Sequence, residues 1–127
     1  MTTPTFDDLL NDIQNLATLG YQLIAVGEDI SMQEGLLAAI DSSFDEMIYQ
    51  LGKSLQNDGM RKLHKEMLRR NHESYSDVTI QLDQLKREKA ELLVQKEQVR
   101  QLLSVGKLQV KSALLDRETK SLLISDL

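Results

Sequence analysis

The chain has 127 residues, no cysteine, no tryptophan, a single proline and a net charge of −5. Without cysteine there is no disulfide and no thiolate metal site, so the sequence is indifferent to redox compartment. The length suits one domain whose modest core leucine must fill, and charged residues at 28 % beside abundant Ala, Glu, Lys, Leu and Arg point to an all-α fold.

The charge is unevenly spread. Residues 1–59 hold ten acidic side chains and one basic one, Lys53, whereas 60–127 hold fourteen basic and ten acidic. Two readings are open. An acidic half packs on a basic half, within one chain or between two, or one half presents a charged face to a partner.

The first helix is expected over about 5–27. Thr3 or Thr5 can cap it, Pro4 suits a first helical position, and Asp7 and Asp8 favour the positive end of the dipole. Leu9, Leu10, Ile13, Leu16, Leu19, Leu23 and Ile24 recur at three and four, the helical period. Gly20 weakens the interior by about 1 kcal/mol relative to alanine, and Val26-Gly27 is the expected end.

SMQE at 31–34 has the pattern of a capping box, which starts a second helix at 31–57. Leu36, Leu37, Ile40, Phe44, Met47, Ile48, Leu51 and Leu55 give its apolar face, and QNDG at 56–59 its stop signal. A third helix is expected over 60–105, with the polar run RRNHES at 69–74 as a stutter, a bend or a true boundary capped by Asn71 or Ser76. Unbroken, that helix is about 68 Å long at 1.5 Å per residue. Each preceding helix is half of that, so the long helix either folds back or leaves apolar surface for another partner. Gly106 is the expected break before a short amphipathic helix at 107–124. There Leu108, Leu115 and Leu122 stand at seven-residue spacing, widened by Leu114, Leu123 and Ile124. The expectation is thus one helical domain over 1–127: an antiparallel hairpin or bundle with one long, coiled-coil-like helix and a short C-terminal one.

Within QLDQLKREKAELLVQKEQVRQLL, Leu82, Leu85, Leu92, Val99 and Leu103 form a seam that Lys89 and Lys96 interrupt. Three readings compete. The lysine stems lie on the leucines while the amines reach water. The amines meet carboxylates of the acidic half, with Asp41, Asp45 and Glu46 as candidates, or of a second chain. Or the lysines keep a partner-binding face unattractive to itself.

Catalytic and metal chemistry find no footing. His64 and His72 are eight apart, without the His-Glu-x-x-His spacing. HESYSD lacks the glycines of a nucleophile elbow, and no glycine-rich phosphate loop is present. The sequence implies no cofactor and no enzyme. Arg61, Lys62, Lys65 and Arg69 form one basic face, but no aromatics interleave for base stacking, which disfavours nucleic acid. The acidic start MTTPTFDD is unlike a signal peptide, and no window approaches 18 consecutive apolar residues. A cytoplasmic location without a membrane span is expected.

RQLLSVGKLQVKSALL at 100–115 and EKAELL at 88–93 resemble segments of the flagellar-type export chaperones of the FliT and FlgN kind. A long helix in such proteins runs into a Gly-Lys segment and a final helix. The resemblance implies a chaperone that keeps export substrates soluble, with the last helix covering the client groove. The leading expectation is a helical chaperone or adaptor that takes a partner helix along Leu82, Leu85, Lys89, Leu92, Lys96, Val99 and Leu103. The alternative is a homo-oligomeric coiled-coil scaffold that buries the same stripe against its own kind.

Overall fold

The computed structural model describes residues 3–52 and 57–125, with side chains through residue 122. The fold is all-α. Helix α1 spans Phe6–Leu51, α2 spans Asp58–Asn71 and α3 spans Glu73–Ser125. Leu55, Gln56, Leu123 and Ile124, which the sequence reading placed on helix faces or in a stop signal, lie outside the described side chains.

Helix α1 begins as the sequence leads one to expect. The Thr5 hydroxyl accepts from the Asp8 N–H at 3.2 Å, and the Asp8 carboxylate accepts from the Thr5 N–H at 2.9 Å. This reciprocal cap satisfies two of the amides that a helix start leaves bare. Pro4 precedes the cap instead of opening the first turn.

The expected break at 27–31 is absent, and the first two expected helices are one. Gly27 costs a helix interior about 1 kcal/mol. Val26 and Ile30, both buried, each return roughly 1.5–3 kcal/mol on leaving water. Leu9, Leu16, Leu23, Ile30, Leu37 and Phe44 run through the supposed break at steps of seven, all buried or half-buried. Ser31 and Glu34 are exposed mid-helix residues, so SMQE caps nothing. The helix stops at Leu51. Gly52 follows with φ +53°, the left-handed conformation that closes helices and that glycine adopts without strain. Asn57, read as part of a stop, instead starts α2: its side chain accepts from the Met60 N–H at 2.8 Å.

RRNHES holds a true boundary, and its cap is neither Asn71 nor Ser76. The His72 N–H donates to the Arg69 carbonyl, closing α2, and His72 Nδ1 accepts from the Tyr75 N–H at 3.0 Å, opening α3. Gly106 does not end a helix either, and the expected 107–124 helix is the continuation of α3. A Cβ on Gly106 would sit 2.7 Å from Leu9 Cδ2 and 3.5 Å from Pro4 Cγ. The start of α1 comes so close here that any side chain would have to displace the end of Leu9.

The chain packs as two units. Unit 2, Ala25–Lys89, is centred on Phe44, only 2 % exposed. The His72 ring meets Phe44 edge-on, with centroids 5.4 Å apart, and Tyr75 lies at 6.1 Å. Asp41 pairs with Arg69 and Asp45 with Lys65, so α2 runs antiparallel to the end of α1. Unit 1, Met1–Ile24 with Ala90–Leu127, is an antiparallel pair made by the start of α1 and the later part of α3. Its α3 side chains are buried or half-buried at three-four spacing as far as Ala113; from Leu114 to Leu122 every one is exposed. The end of α3 has no covering helix among the described residues.

Candidate partner-binding surface

The seven residues expected to meet a partner lie on α3 at positions 75, 82, 89, 96 and 103, or 78, 85, 92 and 99, of two interleaved heptad rows. The structure spends this seam internally. Leu82, Leu92 and Leu103 are 7, 9 and 7 % exposed, and Leu85 and Val99 are half-buried. In unit 1 the seam faces the start of α1, and in unit 2 its later part. The seam is therefore not an open stripe. The mismatch of helix lengths that argued for one was created by a break in α1 that does not exist.

The two lysines differ. Lys89 is exposed and Lys96 half-buried. Lys96 lines an open groove of about 470 Å³ with Ala17, Gly20, Tyr21, Leu23 and Ile24. Two of the three carboxylates weighed as their partners are engaged elsewhere: Asp45 with Lys65 at 2.7 Å and Asp41 with Arg69 at 3.0 Å. Two of the four basic side chains of the α2 cluster, Lys65 and Arg69, are thus matched to carboxylates of α1. The bond to Asp41 raises the already high pKa of Arg69. Arg69 also lies 5.6 Å from the centroid of the Tyr75 ring, within cation–π range.

Two apolar stripes remain uncovered in unit 1. The first is on α1: Phe6, Leu10, Ile13, Ala17, Gly20 and Ile24, spaced four, three, four, three, four. Gly20 is half-buried and the other five are exposed, Ile24 to 62 %. Leu10, Ile13 and Ile24 were assigned by sequence to one broad face with Leu9, Leu16 and Leu23. A strict seven-residue count separates the two sets and was the signal available. The second stripe, on α3, is Val94, Val105, Leu108, Leu115 and Leu122, with Leu108 and Leu122 exposed to 66 and 67 %. It keeps the seven-residue spacing seen in the sequence but points away from the internal seam.

The described residues contain no group of three or more His, Cys, Asp or Glu placed to hold a metal ion. His72 is occupied in capping α3. No helix is long and apolar enough to cross a membrane. No protein-family model, no curated protein and no solved structure matches the chain.

Proposed function

We propose that this chain is a helical protein-binding module, a small chaperone or adaptor that takes a helix of a partner protein. One observation carries the reading. Among the described residues twenty-two large hydrophobic side chains are exposed, against six that are buried. Single exposed apolar residues are ordinary on a protein surface, but rows of them at helical spacing mark surfaces that another helix covers. The anchors belong to the outward rows of unit 1 rather than to the internal seam. The resemblance to FliT- and FlgN-type chaperones extends the proposal to an export substrate as the client. It is supported by the long last helix, which lies bare from Leu114 to Leu122. In this chain that end is part of α3, so it presents apolar surface instead of acting as a separate cover.

A second reading, a homo-oligomeric scaffold, is favoured by the α3 stripe. Gln101, Leu108, Leu115 and Leu122 stand seven apart, and Gln98, Val105, Ser112 and Thr119 fill the positions between them, with no charge in the row. Such a row is compatible with pairing against its own copy. Light scattering on the purified chain over a wide concentration range separates the two. A monomer supports the module, and a dimer that persists at nanomolar concentration overturns it in favour of the scaffold.

A further inference from the structure

The α1 stripe faces a wall of different chemistry. At one end Phe6 shares a cavity of about 210 Å³ with Pro4, Val110, Leu114 and Arg117. At the other, Ala17, Gly20 and Ile24 share a groove with Lys96. Leu114 therefore stands on the same side of unit 1 as the stripe. Lys107 and Arg100 precede it at steps of seven, and Lys111 at a step of three, so α3 carries them along that side. The acids at these positions are Glu97, paired to Arg100 at 3.6 Å, and Glu118 at the far end beyond Leu114. Lys96, Lys107, Lys111 and Arg117 have no carboxylate partner among the described residues.

From this juxtaposition we infer that the side of unit 1 between Phe6 and Ile24 docks an acidic amphipathic helix of a partner protein. The inference rests on the module reading and gives it a surface and a partner chemistry. The apolar row of such a helix lies on Phe6, Leu10, Ile13 and Ile24. Ala17 and Gly20 let its backbone approach closely, and a Cβ added to Gly20 would meet nothing within 4 Å. Its carboxylates face Lys96, Lys107, Lys111 and Arg117, which fixes orientation and rejects basic helices. The chain uses the same chemistry internally: in the heptad count of α1, Asp41 and Asp45 hold the positions of this stripe, and there α2 answers them with Arg69 and Lys65. A second copy is the poorer occupant. Between Asp12 and Glu28 α1 has no acid, so a copy offering the same stripe brings carboxylates only at its Phe6 end, from Asp7, Asp8 and Asp12, and none along Ile13 to Ile24.

The test uses the full chain and two labelled synthetic helices of about five turns. Each has leucines at three-four spacing, flanked by glutamates in one and by lysines in the other. Fluorescence anisotropy is expected to show the acidic helix binding at least tenfold more tightly. Ile13→Asp and Ile24→Asp, both at exposed positions, each weaken it tenfold or more. Lys96→Glu with Lys107→Glu reverses the preference, and Leu115→Asp changes nothing. Equal binding of the two helices overturns the inference, as does binding of neither. Loss with Leu115→Asp but not with Ile13→Asp overturns it while leaving the module reading standing on the α3 stripe. A dimer by light scattering that Ile13→Asp converts to monomer overturns it in favour of a second copy.

Discussion

Arg69 Nε donates to Asp41 Oδ1 across 3.0 Å, and this bond joins the basic helix α2 to the acidic helix α1. Both side chains are about one-third exposed, so the pair is partly screened and is worth about 1 kcal/mol. Arg69→Ala and Asp41→Ala are each expected to lower stability by that order in urea unfolding. The exchange Asp41→Arg with Arg69→Asp recovers part of the loss. A double-mutant coupling near zero makes the bond decorative.

Gly106 and the glycines of α1 are expected to respond in opposite directions. Gly106→Leu places its side chain on Leu9 and Pro4 and is expected to cost about 1–3 kcal/mol. Gly27 and Gly35 have nothing within 4 Å of an added Cβ, so Gly27→Ala and Gly35→Ala are each expected to stabilise by about 0.5–1 kcal/mol. Thermal melts of the three variants check this. A stabilising Gly106→Leu contradicts the close approach of the α1 start.

The Thr5 cap sets a pH dependence. The Thr5 N–H, and then the Thr5 hydroxyl, hold the Asp8 carboxyl below its ordinary value. A lowered folded-state value means a stabilising contribution that is complete above the unfolded value and lost as pH falls through the folded one. In an NMR titration of Asp8, Thr5→Ala is expected to raise the midpoint only part of the way, because the N–H remains. Thr5→Pro, which removes the N–H, raises it further. Identical midpoints in all three chains contradict the cap.

Phe44 and His72 join the three helical segments of unit 2. Phe44→Ala empties the best-buried site among the described residues and is expected to cost about 3–5 kcal/mol. His72→Ala loses the side-chain acceptor that starts α3 and is expected to cost about 1 kcal/mol. His72→Asn keeps an acceptor there and recovers most of that loss. Equal stability of His72→Ala and His72→Asn, by denaturant midpoint, removes the capping role.

The all-α class, the Thr5 start and the apolar seam on α3 were legible because each is a local pattern. The errors came where a local signal met a long-range contact. SMQE has the letters of a capping box, but Val26, Ile30 and Leu37 continue the buried row past it, and burial outweighs the box. Gly106 reads as a terminator by propensity alone, since nothing near it in sequence reveals Leu9. RRNHES left a stutter, a bend and a boundary all open, and the boundary's cap was His72, a residue seldom used as one. The lysines of the seam left three readings open. Lys89 is exposed and Lys96 borders an open groove beside the buried leucines, and the open stripe on α1 was hidden because its residues were counted with the seam beside it.

Unit 2 is one uninterrupted stretch of chain, whereas unit 1 gathers the two ends of the sequence. Bringing Leu9 to Gly106 closes a loop of nearly the whole molecule, and that entropy is lowest when the segments between are already aligned. Assembly is therefore expected to start around Phe44 and close toward the termini like a zip. In hydrogen exchange, amides of 6–24 and 90–113 should open more readily than those of α1 and α3 in unit 2. The opposite order would disprove it. The last part to close is the part that carries both open stripes, so trimming either end of the chain should loosen the proposed docking stripes before it disturbs the packing around Phe44.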